Sequence, residues 1–396
     1  MIPYKRPVSW IRYDRSAISE TLIEAKAVIA SLKSLPCQRE WLERLNAMEF
    51  KREVAGTSRI EGADFTDKEL EAAINEPIDK LMTRSQRQAQ AAVRTYRWIA
   101  TIQDEQPVDE EMILNIHRMI VEGADDDHCE PGALREGDHN VTFGQPRHRG
   151  APGGRECTEA FDGFVRAISS EFRAHDPIVQ AIAAHYHLAA MHPFGDGNGR
   201  TARALEALLF QRAGLRNNCF IAMSNYYYEE KSRYLSTLAA VRQADHNLTE
   251  FILFALIGIR HQLGRLLSDI QTEISKALFE NMMHSLFDLL KSPKKRVIAK
   301  RQMGILKFLL ERGETEMNEL FDLRSGYYAR LKNPFGAFVR DLLGLQELGT
   351  IKVRRKDPSE LLLDVRLEWP TEITETKFFE TLKKLPKTKV SQFLNP

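Results

Sequence analysis

The chain has 396 residues, 56 of them basic and 55 acidic, for a net charge of +1 with histidine neutral. That length exceeds what a single hydrophobic core holds comfortably, so two or three domains are expected, and the near-zero total by itself predicts no polyanion partner. The total hides an asymmetry: from about Ser292 onward Lys and Arg exceed Asp and Glu by roughly seven, which leaves an acidic body and a basic C-terminal end. The four cysteines, Cys37, Cys129, Cys157 and Cys219, lie far apart without a CxxC pair, which indicates neither a disulfide framework nor a zinc site and fits a reducing cytosol. Met1 to Trp10 is not followed by an apolar h-region, so no secretory signal is expected and the location is read as cytoplasmic. The longest apolar run, Phe251 to Ile259, falls well short of the ~20 residues needed to span a bilayer and reads as a buried helix.

In chain order, apolar residues recur at helical spacing over 16–35 and 38–54. Ser58-x-x-Glu61 then has the spacing of a capping box, and a second box, Thr66-x-x-Glu69, opens a helix to about Ile74. Helical patterns follow over 83–104 and 109–121, separated by Pro107. Between Gly123 and Gly154 the chain is rich in Gly, Pro, Asp and His, and Val141-Thr142-Phe143 is its one strand-like segment, so a long loop carrying a short hairpin is expected. Arg135 in this loop reads as structural or solvated. Asp176-Pro177 gives an N-cap with proline at the first helical position, and Ile178, Ala181, Ile182, His185, Leu188 and Ala189 line one face of the helix to Ala190. His185 and His187 are two apart, so they point to different faces, and without a ligand spacing such as HExxH they read as packed core histidines.

A second helix, 204–211, follows, ending near Gly214. Tyr226, Tyr227, Tyr228 and Tyr234 read first as core aromatics, although any aromatic face also suits a base. Helical patterns run to about Lys291, and Ser292-Pro293-Lys294-Lys295-Arg296 reads as a linker. Beyond it come helices over 302–312, 315–323 and 334–348, then strands over 351–355 and 361–367 joined by the turn Lys356-Asp357-Pro358-Ser359. Three helices and a basic hairpin resemble a winged helix-turn-helix, in which Lys352, Arg354, Arg355 and Lys356 would touch DNA phosphates. A protein-interaction or dimerisation module fits equally, because the third helix carries Gly336, Ala337, Phe338 and Leu342 and few base-reading side chains.

The chemistry concentrates between the helices 177–190 and 204–211, in His192-Pro193-Phe194-Gly195-Asp196-Gly197-Asn198-Gly199-Arg200-Thr201-Ala202-Arg203. No Rossmann fingerprint or Walker A lysine is present. Glycines there let backbone N–H groups converge on phosphate oxygens at a helix N-terminus. Arg200 and Arg203 would hold further phosphates as bidentate forks. Asp196 suits Mg2+, which commonly takes one carboxylate plus substrate phosphates, and His192 can accept a proton from a hydroxyl near neutral pH. Phe194 reads as an anchor in the core. Together these groups specify phosphoryl or nucleotidyl transfer.

The twelve positions resemble the Fic-domain signature HPFx(D/E)GNGRxxR without departure. The resemblance implies an all-α Fic fold with a short β-hairpin flap, here followed by the C-terminal winged helix-turn-helix (α+β) domain, and transfer of AMP from ATP to a hydroxyl side chain of a target protein. It makes His192 the base and Asp196 the Mg2+ ligand. Gly197, Asn198 and Gly199 become the anion hole, Arg200 a polyphosphate contact and Arg203 the γ-phosphate contact. Val141, Thr142 and Phe143 become the flap that pairs with a target segment, and Tyr227 and Tyr228 fall where the family lines its adenine pocket. Thr57-x-x-x-Glu61-Gly62 matches the family's inhibitory motif (S/T)xxxE(G/N), so Glu61 would occupy Arg203 and keep the resting protein off.

The corresponding division is an N-terminal helical region carrying the inhibitory motif (1–95), the Fic core and following helices (96–291), the winged-helix-like domain (292–370) and a tail (371–396). The leading expectation is an autoinhibited protein adenylyltransferase acting on Ser, Thr or Tyr of targets and on itself, with ATP and Mg2+. A deAMPylase in which Glu61 positions a hydrolytic water is the enzymatic rival, and a DNA-binding regulator with a nucleotide-sensing domain is the rival from another class. A homodimer and DNA at the C-terminal domain stand open as partners; a membrane does not.

Overall fold

The computed structural model describes residues 1–35, 38–125, 127–137, 140–144, 146–215, 221–291, 293–357 and 360–384. Cys37, Cys219, Ser292 of the expected linker, Pro358 and Ser359 of the expected turn, and the tail from 385 lie outside the described residues. The chain divides into two compact units, Met1–Leu267 and Ser268–Pro396.

In the first unit, strand β1 (Ile2–Pro3) precedes α1 (Arg15–Ser34), whose N-cap Asp14 accepts the N–H groups of Ser16 and Ala17. Helix α2 (Arg39–Ile60) follows, then α3 (Asp67–Asn75), α4 (Arg84–Ile99) and α5 (Glu110–Val121). The Thr66/Glu69 box forms as expected, and Thr83/Gln86 makes another at the start of α4. The Ser58/Glu61 box does not form. Residues 58–60 are the last turn of α2 with Glu61 its C-cap, and the Ser58 hydroxyl donates to the Val54 carbonyl one turn back. The spacing is that of a helix start, but the apolar periodicity runs six residues further than 54, so it falls on a helix end.

The flap sheet contains β2 (Thr142–Phe143) and β3 (His148–Arg149), antiparallel with Phe143 opposite His148, and β1 joins β3 in parallel. Val141 adjoins β2, and its carbonyl accepts the Gly150 N–H at 3.1 Å. Helix α6 (Arg155–Ser169), unanticipated from the sequence, buries Cys157, Phe161 and Phe164. Helices α7 (Pro177–Met191) and α8 (Asn198–Phe210) pack along each other and carry the signature loop between them. Then come α9 (Met223–Glu229), α10 (Lys231–Gln243) and α11 (Thr249–Asp288). Helix α11 is long and apolar enough to cross a membrane by length and composition, yet 56% of its apolar window is buried inside the protein, and Phe251, Ile252, Ala255, Leu256 and Ile259 are fully covered.

In the second unit, α12 (Pro293–Arg312) begins where a linker was expected, so Pro293 serves as a helix-opening proline rather than a break. Strand β4 (Thr315–Glu316), α13 (Met317–Arg324), α14 (Pro334–Glu347), β5 (Ile351–Asp357) and β6 (Glu360–Val365) follow, with the sheet ordered β4-β6-β5 and antiparallel throughout. Two helices close it, α15 (Trp369–Glu372) and α16 (Glu375–Lys384). Leu306, Leu309, Leu320, Phe338, Leu342 and Leu363 form its core. The wing cations meet carboxylates: Lys352 pairs with Asp364 at 3.3 Å, Arg354 with Glu314 at 2.7 Å and Lys356 with Glu360 at 2.9 Å.

Candidate functional site

His192 is the C-cap of α7 and sits at φ 50, a left-handed conformation that costs of order 1–3 kcal/mol for a non-glycine and has to be held by its surroundings. The hold is visible. Arg135, buried, donates from Nε (3.0 Å) and Nη2 (2.8 Å) to the His192 carbonyl and from Nη2 to Ala151 O, which settles its role as a brace. The Asn198 side chain accepts from Phe194 N–H and donates to Phe194 O, both at 2.9 Å, tying the loop into a closed turn. Phe194 is fully buried and stacked on His117, ring centroids 3.8 Å apart. Gly197 opens α8 at φ 72, and the methyl group of any other residue would strike Val121. The loop is therefore rigid before any ligand arrives.

The imidazole of His192 is oriented for base chemistry. Its Nδ1 lies 2.7 Å from the Ala189 carbonyl, which can only accept, so Nδ1 carries the proton and Nε2 keeps its lone pair. Burial pushes its pKa down to about 4, with the charges of Arg242 and Arg135 adding to the effect, so the ring is neutral at pH 7. Phe143 of the flap lies flat on the ring at 3.8 Å, and the Arg242 guanidinium lies over the Phe143 ring at 4.6 Å.

Below the ring opens a cavity of about 290 Å³ whose lining includes His192, Asp196, Asn198, Gly199, Arg203 and Glu61. The first N–H groups of α8, at Asn198, Gly199 and Arg200, have no carbonyl one turn back inside the helix, and the helix dipole makes this end attractive to anions. Arg203, buried on the same helix, donates from Nε to Thr57 Oγ1 (2.9 Å) and from Nη2 to both Thr57 O (3.1 Å) and Glu61 Oε1 (2.6 Å). Burial pushes the Glu61 carboxyl up, but the Arg203 guanidinium outweighs it and holds the group below its usual range. The two ends of the Thr57/Glu61 motif thus grip one arginine.

Residues 107–210 match the Fic/DOC family. Over 103 residues the chain is 39% identical to protein adenylyltransferase fic-1 of Caenorhabditis briggsae, a stretch that makes up 26% of this chain and 19% of that relative. A shorter stretch of 39 residues, 10% of this chain and 8% of the relative, is 59% identical to the Caenorhabditis elegans protein of the same name. The chain carries a Fic domain. Among solved structures, a Fic family protein from Desulfovibrio desulfuricans G20 superposes with a TM-score of 0.56 over 92% of this chain and 98% of that one, at 18% identity. A fragment of Fic-1 from C. elegans superposes at 0.54 over 65% and 74%, at 22% identity. These two likenesses concern the fold.

Three residues of the Fic site are placed differently from expectation. Arg200 is buried beneath the loop and does not line the cavity; its Nη1 pairs with Asp125, itself fully buried, and its Nη2 lies 3.6 Å from Asp196. Tyr227 is packed face to face with Tyr234 at 4.8 Å and donates its hydroxyl to Glu206, and Tyr228 lies at the surface under Arg59. Neither tyrosine lines the cavity, because α9 turns these side chains into the core and out to solvent; the side chains of α10, Tyr234, Leu235, Leu238, Ala239 and Arg242, face it instead. No sequence signal separated Tyr234 from Tyr227.

Asp196 meets the requirement for a Mg2+ ligand as far as donor chemistry goes. Its carboxylate is 40% exposed, borders the cavity, and is oriented by the Gly197 N–H at 2.6 Å. An ion here would take this one carboxylate and complete its shell with phosphates and water. Two residues missed from the sequence complete the site. Asp125 bridges Arg200 to Arg84 and Gln88, and His117 holds the Asp196 carbonyl with Nε2 at 3.1 Å while its Nδ1 accepts the Gly132 N–H.

Proposed function

We propose that the protein is an autoinhibited adenylyltransferase that moves AMP from ATP to a Ser, Thr or Tyr hydroxyl of target proteins, and of itself, releasing pyrophosphate. The observation that carries this reading is the pairing of a neutral, Nε2-bare His192 with a helix end suited to anions whose cavity-lining cation, Arg203, is held by Glu61. His192 takes the hydroxyl proton, the oxygen attacks the α-phosphorus, and the bond to the β-phosphate oxygen breaks. Gly197, Asn198 and Gly199 hold the phosphates by backbone N–H groups, and Arg203 takes the γ-phosphate once Glu61 leaves it. A Mg2+ held by Asp196 and phosphate oxygens would neutralise charge on the departing pyrophosphate. Phe143 lies flat on His192 and is continuous with Val141 and Thr142, which suits a flap that lays a target segment beside the base.

Mass spectrometry of the Glu61→Gly protein after incubation with ATP and Mg2+ in cell lysate tests the reading. AMP adducts on the protein and on lysate proteins, absent or far weaker with the unaltered chain, are expected; no adduct in either sample overturns it. Glu61 borders the same cavity as His192, which also supports removal of AMP as a second reading. If that holds, the unaltered chain strips AMP from a modified target and Glu61→Gly loses this activity. The sheet order β4-β6-β5 together with helices α12 to α14 supports a winged helix over 292–370, and a cytoplasmic location is proposed with this reading on the sequence alone.

A further inference from the structure

Behind the cavity lies a buried carboxylate that the transfer chemistry does not use. Glu206 on α8, 1% exposed, forms no ion pair with lysine or arginine among the described residues. An uncompensated buried charge is costly, so its neighbours matter. Tyr227 donates its hydroxyl to Oε1 at 2.8 Å, and Oε2 lies 3.0 Å from Nδ1 of His185, a fully buried residue of α7. The other ring nitrogen of His185, Nε2, lies 2.8 Å from the Tyr234 hydroxyl, and that hydroxyl lies 3.5 Å from Nη1 of Arg203.

Donor chemistry at Arg203 and the charge of Glu206 together set the direction of the chain. A guanidinium has no acceptor, so Tyr234 must accept from Arg203. The Glu206 charge 3.0 Å from His185 Nδ1 favours the tautomer with the ring proton on that side, although the contact is not aligned as a hydrogen bond, so Nε2 is bare and the single proton of Tyr234 goes to it. Tyr234 keeps that proton, because burial pushes its pKa up to about 12. Each link biases the next: the carboxylate's charge favours one imidazole tautomer, that tautomer accepts the hydroxyl proton, and the hydroxyl presents a lone pair to the arginine.

We infer that Tyr234, oriented through His185 by Glu206, is a positioning residue that keeps Arg203 aimed into the cavity after Glu61 releases it. Arg203 is gripped from two sides. Thr57 and Glu61 come from α2, whereas Tyr234, His185 and Glu206 come from α10, α7 and α8, the helices that form the site itself. Loss of the α2 contacts therefore leaves an ordered arginine rather than a loose one. The consequence for nucleotide rests on the adenylyltransferase reading; the consequence for Arg203 does not.

The test compares Glu61→Gly with Glu61→Gly/Tyr234→Phe and Glu61→Gly/Tyr227→Phe. Phenylalanine keeps both rings in their stack, and thermal melts check folding. Tyr227 is as buried as Tyr234 and stacks on it, but its hydroxyl bonds to Glu206 and not to Arg203, so it controls for packing. By calorimetry with ATP and Mg2+, Tyr234→Phe is expected to weaken binding about fivefold, as loss of one long hydrogen bond to a charged group should, with KM rising more than kcat falls, and Tyr227→Phe to weaken it less than twofold. By NMR without nucleotide, rotation of the Arg203 guanidinium is expected to speed up in the Tyr234→Phe protein alone. Unchanged Arg203 rotation, or equal effects of the two tyrosine changes, overturns the inference. If Glu61→Gly fails to bind ATP while Arg203 rotation responds as expected, the adenylyltransferase reading falls and the positioning role stands.

Discussion

Arg200 and Arg203 leave α8 less than one turn apart and both are buried, yet the carboxylates that hold them, chiefly Asp125 for Arg200 and Glu61 for Arg203, differ in kind. Asp125 is fully buried, accepts from Arg200, Arg84 and Gln88 together, and lies within the matched Fic stretch. Glu61 keeps 35% of its side chain exposed, takes one bond from Arg203, and stands at the last residue of a helix end outside that stretch. One pair is built into the domain and the other is laid upon it. The difference separates an arginine that shapes the loop from an arginine that a conformational change can free.

The largest expected effect lies at His192. His192→Ala in the Glu61→Gly background should lower AMP labelling by about 10²–10⁴-fold, the usual worth of a positioned general base, while leaving nucleotide binding nearly unchanged. Labelling within tenfold of the parent would move the base role elsewhere.

The comparison itself is broken or sharpened by the paired carboxylates. Asp125→Asn takes from Arg200 its fully buried counter-charge, leaving only the half-exposed Asp196 at 3.6 Å, and should cost about 3–5 kcal/mol in urea unfolding. Glu61→Gly should cost no more than about half of that, because Glu61 is partly hydrated and Arg203 retains Thr57 and Tyr234, and it should raise labelling rather than lower it. Equal destabilisation by the two substitutions would make Glu61 a structural residue.

The signature loop was legible because its chemistry is local: twelve consecutive residues carry the base, the acid, the glycines and both arginines. What lay far away in sequence was legible only through a resemblance. Thr57 and Glu61 reach Arg203 across more than a hundred residues, and local spacing alone pointed to a helix start where a helix ends. Asp125 sits among the acidic residues of a Gly- and Asp-rich loop, where nothing marks which carboxylate will be buried. Tyr227 and Tyr234 have the same composition signal, and only the direction of α9 and α10 decides that one faces Glu206 and the other the cavity. The flap's third strand was equally hidden, since Ile2 and Pro3 pair with residues almost 150 positions away.

A pH series sharpens the contrast between a base that must be neutral and a fold that requires it. His117, His187 and His192 are all driven down by burial, to about 4, 3 and 4 from an ordinary 6.5. The unfolded chain therefore takes up protons at these positions below pH 6.5 while the folded chain does not until about 4, so stability is complete above 6.5 and falls as the pH drops toward 4. Labelling by Glu61→Gly should stay flat from pH 8 to 6 where a solvent-exposed histidine base would lose half its activity near 6.5. A half-maximal point at 6.5 would show that His192 is hydrated in the working enzyme.

The smallest expected effect lies in the second unit, where charge pairs resemble those of the active site in geometry but not in burial. Arg354 and Glu314 lie 2.7 Å apart with side chains 64% and 40% exposed, so water screens the pair and its net worth is about 0–1 kcal/mol. Arg354→Gln should accordingly shift the urea midpoint barely at all. Its value is as a probe of the winged-helix reading, because a phosphate contact at Arg354 would have to displace Glu314. If the strand binds DNA, Arg354→Gln lowers the slope of log K against log salt by about 0.9, the signature of one lost phosphate contact, and Glu314→Gln tightens binding by freeing the arginine. If neither substitution changes DNA retention at low salt, the wing's cations serve its own carboxylates, and the basic C-terminal end is a folded surface rather than a polyanion site.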